Sequence, residues 1–402
     1  MSILLKHKIL MFSEYPYSEV EQGHGGIMQA TFQLVEGFSA LKIPDLELHV
    51  ITCSIYCSAN EVRRSGNIFC HFVPRAQSTL GQMFISPLRL FCYARELINQ
   101  VHPDLIHGQG TVTYLILSLL LGKRNIQTVH GLYRNEQAAI PKDQQSNVVR
   151  LKFAVKLVLE RWYLLRIRNL IAITKQIVHA MYAEGNQQVR VFNVNNAIDK
   201  AFFDLTEKRV AIAPIRDSVN ILFVAAITPR KGLHILVEAF KRLAPKYPSI
   251  QLTVVGIWDW APDYVKAQSA VCRELQAQGR VVFTGGVSRE RLIRAFDEAD
   301  IFVLPSFSES APMVISQAMC VGLPIVTTRV GGIPEMIEQG VTGAMLEAGD
   351  VDSLTAELSR LIEDPVARQE LATAAKKVGF QRYHPESIAR ATVAAYREVI
   401  VN

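Results

Sequence analysis

Short unbroken apolar runs alternate along this chain with longer segments in which apolar residues recur every three or four positions. The runs at 9–12, 48–52, 105–107, 126–130 and 170–174 predict strands in the first half, and those at 221–225, 252–256, 281–284, 301–305 and 325–327 predict strands in the second. Helical periodicity fills the intervals, as at 233–243 and 289–298. A strand–helix alternation of this kind implies parallel sheets joined by right-handed crossovers, hence α/β architecture with two doubly wound, Rossmann-like domains. The length of 402 residues also exceeds what one core fills. The pattern lapses around 200–218, where charges and Pro214 collect. The expected division is a first domain over 1–205, a second over 206–385, and a terminal helix over 386–402 packing back toward the first. Ligands in such folds bind beyond the carboxyl ends of the strands. With two facing domains, the active site is expected in the cleft.

Composition adds little to this picture, but charge does. A chain that is 49% hydrophobic and 20% charged is a well-buried globular protein. The first eleven residues, interrupted by Lys6, His7 and Lys8, read as a first strand rather than a signal peptide. The longest uncharged apolar stretch, 112–122, is too short to span a bilayer as a helix. Six scattered cysteines without a CxxC pair read as reduced thiols of a cytoplasmic protein, not a zinc site. Residues 1–205 hold 21 Lys and Arg against 15 Asp and Glu, while the remainder holds 22 of each, so the whole net charge of +6 lies in the first half. Such a bias marks a surface that meets phosphates or an anionic membrane face. The segment 148–168 carries six basic residues and one acid among Leu, Val, Phe and Trp. It reads either as an ordinary amphipathic helix on the sheet or as a peripheral membrane contact.

The strongest chemical signal is Leu304-Pro-Ser-Phe-Ser-Glu309, continued by Ser310, Ala311, Pro312, Met313 and Val314 and then by Gln317. A buried strand ends at Pro305, a short loop places Glu309, and a helix begins between Ser310 and Met313. The free N–H groups at such a start form an anion site. A carboxylate that merely satisfies the helix dipole is the alternative. Two glycines, Gly25 and Gly26, follow Gly23 and His24 ahead of a helix-period segment and could let a phosphate or an acceptor approach. His130 ends an apolar strand. The GxGxxG fingerprint of a nicotinamide enzyme is missing.

These motifs together resemble the GT4 family of glycosyltransferases, and the resemblance runs through nearly the whole chain. It implies the GT-B fold. Glu309 matches the family's first glutamate, which contacts the donor sugar, and Gln317 stands in place of the ribose-binding second glutamate. Ala225-Ala-Ile-Thr-Pro-Arg230-Lys231-Gly232 resembles the basic phosphate loop, with Lys231 matching the lysine that neutralises the diphosphate. Ala226 occupies the place of the family's arginine, and Arg230 is expected to swing inward and supply the missing charge. Gly331 and Gly332 match the turn near the phosphates, Gly25 and Gly26 the glycine pair facing the donor, and His130 the strand-end histidine on the donor sugar. Asn195-Asn196-Ala197-Ile198-Asp199 resembles a structural turn before the interdomain link. Asp350-Val-Asp352 looks superficially like a metal-binding DxD, yet its setting predicts a helix cap.

The resemblance implies a retaining, metal-independent hexosyltransferase using a UDP- or GDP-linked sugar and no cofactor. The expected acceptor is a glycan or lipid-linked glycan, in surface polysaccharide synthesis at the inner membrane face, with no nucleic-acid partner. A GT-B protein that binds sugar nucleotides without transfer, or a related epimerase or phosphorylase, is the alternative.

Overall fold

The computed structural model describes residues 7–18, 25–134, 147–211, 218–259 and 261–401. Gly23, His24 and Pro214 lie outside the described residues, as do the side chains of Arg150 and Lys152. Strands run in chain order as β1 (His7–Phe12), β2 (Leu46–Ser54), β3 (Glu61–Ser65), β4 (Ile68–Pro74), β5 (Leu105–Gln109), β6 (Asn125–Thr128), β7 (Asn169–Ala172) and β8 (Arg190–Asn193). They continue as β9 (Asn220–Val224), β10 (Gln251–Val255), β11 (Val281–Gly285), β12 (Ile301–Leu304), β13 (Ile325–Thr328) and β14 (Ala344–Leu346). The helices are α1 (Gly26–Leu41), α2 (Thr79–Val101), α3 (Val112–Leu121), α4 (Asn147–Leu164), α5 (Lys175–Ala183), α6 (Lys200–Ala211), α7 (Leu233–Leu243) and α8 (Pro262–Val271). After them come α9 (Arg273–Ala277), α10 (Arg289–Glu298), α11 (Met313–Val321), α12 (Ile333–Met336), α13 (Val351–Glu363), α14 (Pro365–Tyr383) and α15 (Pro385–Val401).

The chain divides into two compact units, one made of the described residues up to 197 with 385–401, the other of 198–384. The first unit is built on a sheet of order β3-β4-β2-β1-β5-β6-β7-β8. All its neighbours pair in parallel except β3 and β4, an antiparallel hairpin turned at Gly66. The parallel sheet expected from the strand–helix alternation is thus present, with this hairpin added at its edge. β3 reads Glu-Val-Arg-Arg-Ser and is exposed at four of its five positions, so it lacks the apolar signature of a central strand. α15 lies on α1, where a Cβ at Gly37 would sit 2.4 Å from the Pro385 carbonyl oxygen. Ile388, Val393 and Tyr396 of α15 join Ile9, Val50 and Leu105 in the core.

The second unit has the sheet order β11-β10-β9-β12-β13-β14, parallel throughout. Its central strand β12 is wholly buried between β9 and β13, as expected of a continuous apolar run covered on both faces. At the head of α6, Asp199 takes a two-pronged bond from Arg289 of α10. Asp350 caps α13, accepting from the Ser353 backbone N–H at 2.9 Å and its hydroxyl at 2.6 Å, while Asp352 pairs with Arg242. The two aspartates serve as cap and surface ion pair, as the sequence setting implies. Among the described residues, no group of three or more His, Cys, Asp or Glu could hold a metal ion, and no helix is long and apolar enough to cross a membrane. All six cysteines are free thiols.

Candidate functional site

Three loops at the carboxyl ends of the adjacent strands β9, β12 and β13 meet in the second unit. This is where parallel α/β sheets collect ligand groups. After β9 the chain turns through a short 3-10 segment, Pro229–Lys231, into α7. After β12 it runs through 305–312 and enters α11, with Pro312 at the N-cap. After β13 it passes Gly331 and Gly332 into α12.

Close backbone contact locks the three loops together, and glycine makes it possible. A Cβ at Gly331 would lie 1.6 Å from the Glu309 carbonyl oxygen, and one at Gly232 would lie 1.9 Å from that of Pro305. Both residues also have positive φ, at 55° and 72°, so no other residue fits either place. The resemblance puts Gly331 close to the phosphates; what it presses against here is the backbone of Glu309.

Within this frame the Lys231 ammonium donates to Glu309 Oε1 at 2.6 Å, and the Ser306 hydroxyl donates to the same oxygen at 2.8 Å. The lysine and glutamate side chains are only 15% and 6% exposed, so the pair is screened little by solvent. Thr328 donates to the Ser306 carbonyl oxygen and anchors the segment from below. Arg230 is turned along the loop: its guanidinium donates to the Ser308 carbonyl oxygen at 2.8 Å, and its own carbonyl accepts from Phe307 N at 2.8 Å. Arg230 thereby clasps the loop that carries Glu309.

Met313 and Val314 open α11, and as first-turn residues their N–H groups have no partner inside the helix. One turn on, Gln317 is 3% exposed and its Oε1 is buried without a hydrogen bond. The Thr228 hydroxyl is in the same condition beside Lys231. Buried polar atoms of this kind cost free energy unless a partner satisfies them, and a hydroxyl of a bound ligand is one partner that would do so. Ser310 and Ala311 are half-buried and Pro312 is buried. Sequence reasoning missed Ser306 and Thr228 as site residues, although Ser306 belongs to the same Pro-Ser segment that leads to Glu309. It also missed the face-to-face stack of His234 on Phe307, 5.7 Å between ring centres.

The first unit holds the other expected residues. Gly25 is the N-cap of α1 with φ of 81°, and Gly26 is its first helical residue. His130 follows β6; its Nε2 is buried without a partner, and burial pulls the imidazole down to about 4. It is therefore neutral at pH 7, with a ring nitrogen still free to bond. The neighbouring His107 is satisfied internally, by Tyr396 at 2.7 Å and Thr128 at 2.8 Å. Burial, with the charge of His130 second, lowers it to about 3.

Two family models match in succession: Glycosyltransferase Family 4 over residues 24–202 and Glycosyl transferases group 1 over residues 206–378. An uncharacterized glycosyltransferase of Methanocaldococcus jannaschii is 25% identical over 304 residues, which is 73% of this chain and 75% of the relative. The amylovoran biosynthesis glycosyltransferase AmsK of Erwinia amylovora is 32% identical over 199 residues, spanning 48% of this chain and 47% of its own length. Among solved structures, a sucrose-phosphate synthase from Thermosynechococcus elongatus superposes with a TM-score of 0.78 at 19% identity, covering 98% of this chain and 100% of that one. Anabaena HepE, solved with UDP and glucose, has a TM-score of 0.67 at 20% identity and covers 97% and 99%. Both likenesses speak to the fold.

Proposed function

Since the chain belongs to the GT4-type glycosyltransferases and has the GT-B fold, we propose that it moves a hexose from a UDP- or GDP-linked donor to a glycan or lipid-linked acceptor, with retention and without metal. The observation that carries this reading is the Lys231–Glu309 pair set beside the free amides of α11, with the unpartnered Gln317 Oε1 a turn away.

The chemical problem is a departing diphosphate whose charge grows as the bond from the anomeric carbon breaks. Lys231 carries three N–H donors, of which one is on Glu309, so two remain for phosphate oxygens. The α11 N-terminus adds the positive end of a helix dipole at fixed distance, which stabilises that charge without reorganisation. Glu309 receives both of its bonds on Oε1, leaving Oε2 for sugar hydroxyls. Gln317 Oε1 accepts from a ribose hydroxyl, and neutral His130 bonds the sugar. The acceptor oxygen attacks on the face from which the diphosphate leaves. Its proton passes to the departing phosphate oxygen, so configuration is kept with no bond between Glu309 and the sugar.

The UDP and glucose bound by HepE support a UDP-linked donor, and the amylovoran relative supports a role in polysaccharide synthesis. The basic bias of the first half supports a cytoplasmic protein peripheral to an anionic membrane. Calorimetry with UDP and GDP tests the site. The wild type binds one of them, and Gln317→Ala weakens that binding by about 1–3 kcal/mol. A wild type that binds neither contradicts the proposal, and unchanged affinity in Gln317→Ala moves the ribose contact elsewhere.

A further inference from the structure

The segment read as a basic amphipathic helix contains one acid, Glu160 of α4, and it faces inward. The residue has no solvent exposure. A carboxylate so placed must be compensated by specific donors. Glu160 has two, both in the segment that follows β6, where Tyr133 and Arg134 are helical: Oε2 accepts from the Tyr133 backbone N–H, and Oε1 accepts from Arg134 Nε at 2.6 Å. Arg134 extends the clasp by reaching Glu184, at the end of α5, at 2.9 Å, and Arg161 joins the same carboxylate at 3.2 Å. The Lys156 ammonium lies 4.3 Å above the Tyr133 ring. Leu132 is buried with Tyr163 and Leu164 of α4.

Residues 132–134 are thus fastened to α4 by an apolar plug, a charge-assisted backbone bond and an ion pair. His130 stands two residues upstream, with Gly131 between it and the plug. Burial stability alone does not call for this arrangement, because well-packed apolar groups stabilise a core at least as well as a buried ion pair. What a two-oxygen acceptor with two diverging donors adds is a single loop register. A register shift here would move the unpartnered Nε2 of His130.

We infer that Glu160 is a positioning residue that acts through His130, holding its imidazole where the donor sugar is met. The inference rests on the proposed role of His130. The test measures nucleoside diphosphate release from whichever UDP- or GDP-hexose the wild type hydrolyses fastest. Glu160→Gln is made in the wild type and in His130→Ala. Gln keeps the shape but turns an amide N–H toward one of the two donors, so kcat falls by about tenfold or more while donor KM changes by less than about twofold. In the His130→Ala background the same change lowers kcat by less than about twofold, since the residue it acts through is gone. Hydrogen exchange at the Tyr133 amide quickens in parallel. Arg134→Lys keeps the charge but loses the planar fork, and it gives a milder form of the same pattern should Glu160→Gln fold poorly. Equal losses in both backgrounds, or wild-type turnover by Glu160→Gln beside a crippled His130→Ala, overturn the inference alone. Wild-type turnover by His130→Ala overturns the role of His130 and the inference with it.

Discussion

Replacing Lys231 with Met separates what the Lys231–Glu309 pair does for the fold from what it does for the reaction. Methionine fills a similar volume and removes the charge together with its N–H donors. Glu309 would then remain a carboxylate whose side chain is 6% exposed and which keeps the bond from Ser306 at 2.8 Å. Deleting one partner of a buried pair costs about 3–5 kcal/mol. The surviving Ser306 bond and the residual exposure of the site reduce that, so about 2–4 kcal/mol is expected from urea denaturation of Lys231→Met. Adding Glu309→Gln removes the stranded charge while keeping an acceptor for Ser306, and stability returns to within about 1 kcal/mol of wild type. Turnover does not return. Losing a preorganised donor to the leaving group costs about 10²–10³ in kcat, and the double variant lacks both groups. The reasoning is refuted if Lys231→Met is as stable as wild type, or if the double variant releases nucleoside diphosphate at the wild-type rate.

Acid should destabilise the first unit through its buried histidines. Burial lowers His107 to about 3 and His71 to about 4, against about 6.5 unfolded, so between pH 6.5 and 4 the unfolded chain binds more protons. Stability is therefore full above pH 6.5 and is lost progressively as the pH falls through that window, with buried His130, also lowered to about 4, adding to the same trend. A urea midpoint that stays flat from pH 7 to about pH 4 contradicts this. The outward side of α4 exposes Val155 and Val158 at 53% and 69%, beside basic residues. Flotation with anionic vesicles should recover the protein at low salt, and replacing Arg150, Lys152 and Lys156 with Gln should reduce it; no recovery at low salt leaves α4 as a core helix only.

The parts of the fold legible in the sequence are those with a strong local signal. β12 shows itself as a continuous apolar run, α7 and α10 by their periodicity, and α13 by the Asp350 cap. β3 is hidden because an exposed edge strand carries no apolar pattern, and β14 because it has three residues. The site shows the same division. Lys231 and Glu309 announce themselves by motif, but their 2.6 Å pairing across 78 positions is a tertiary fact. The direction of Arg230 depends on which carbonyl lies opposite its turn, and Ser308 is supplied by a distant loop. Glu160 looks like a solvated acid among basic residues until α4 is set against the loop of His130.

The central claim is that this chain cleaves a sugar nucleotide with retention at the anomeric carbon. Proton NMR of the purified protein mixed in turn with UDP-, GDP- and ADP-hexoses, in the presence of a divalent-metal chelator, tests it most directly. The predicted result is release of nucleoside diphosphate from one UDP- or GDP-hexose, with the sugar first appearing in the donor's own anomeric configuration. Glu309→Ala should abolish the release while still binding the nucleotide. First appearance of the opposite anomer, a requirement for added metal, or tight nucleotide binding with no release from any donor would contradict the account.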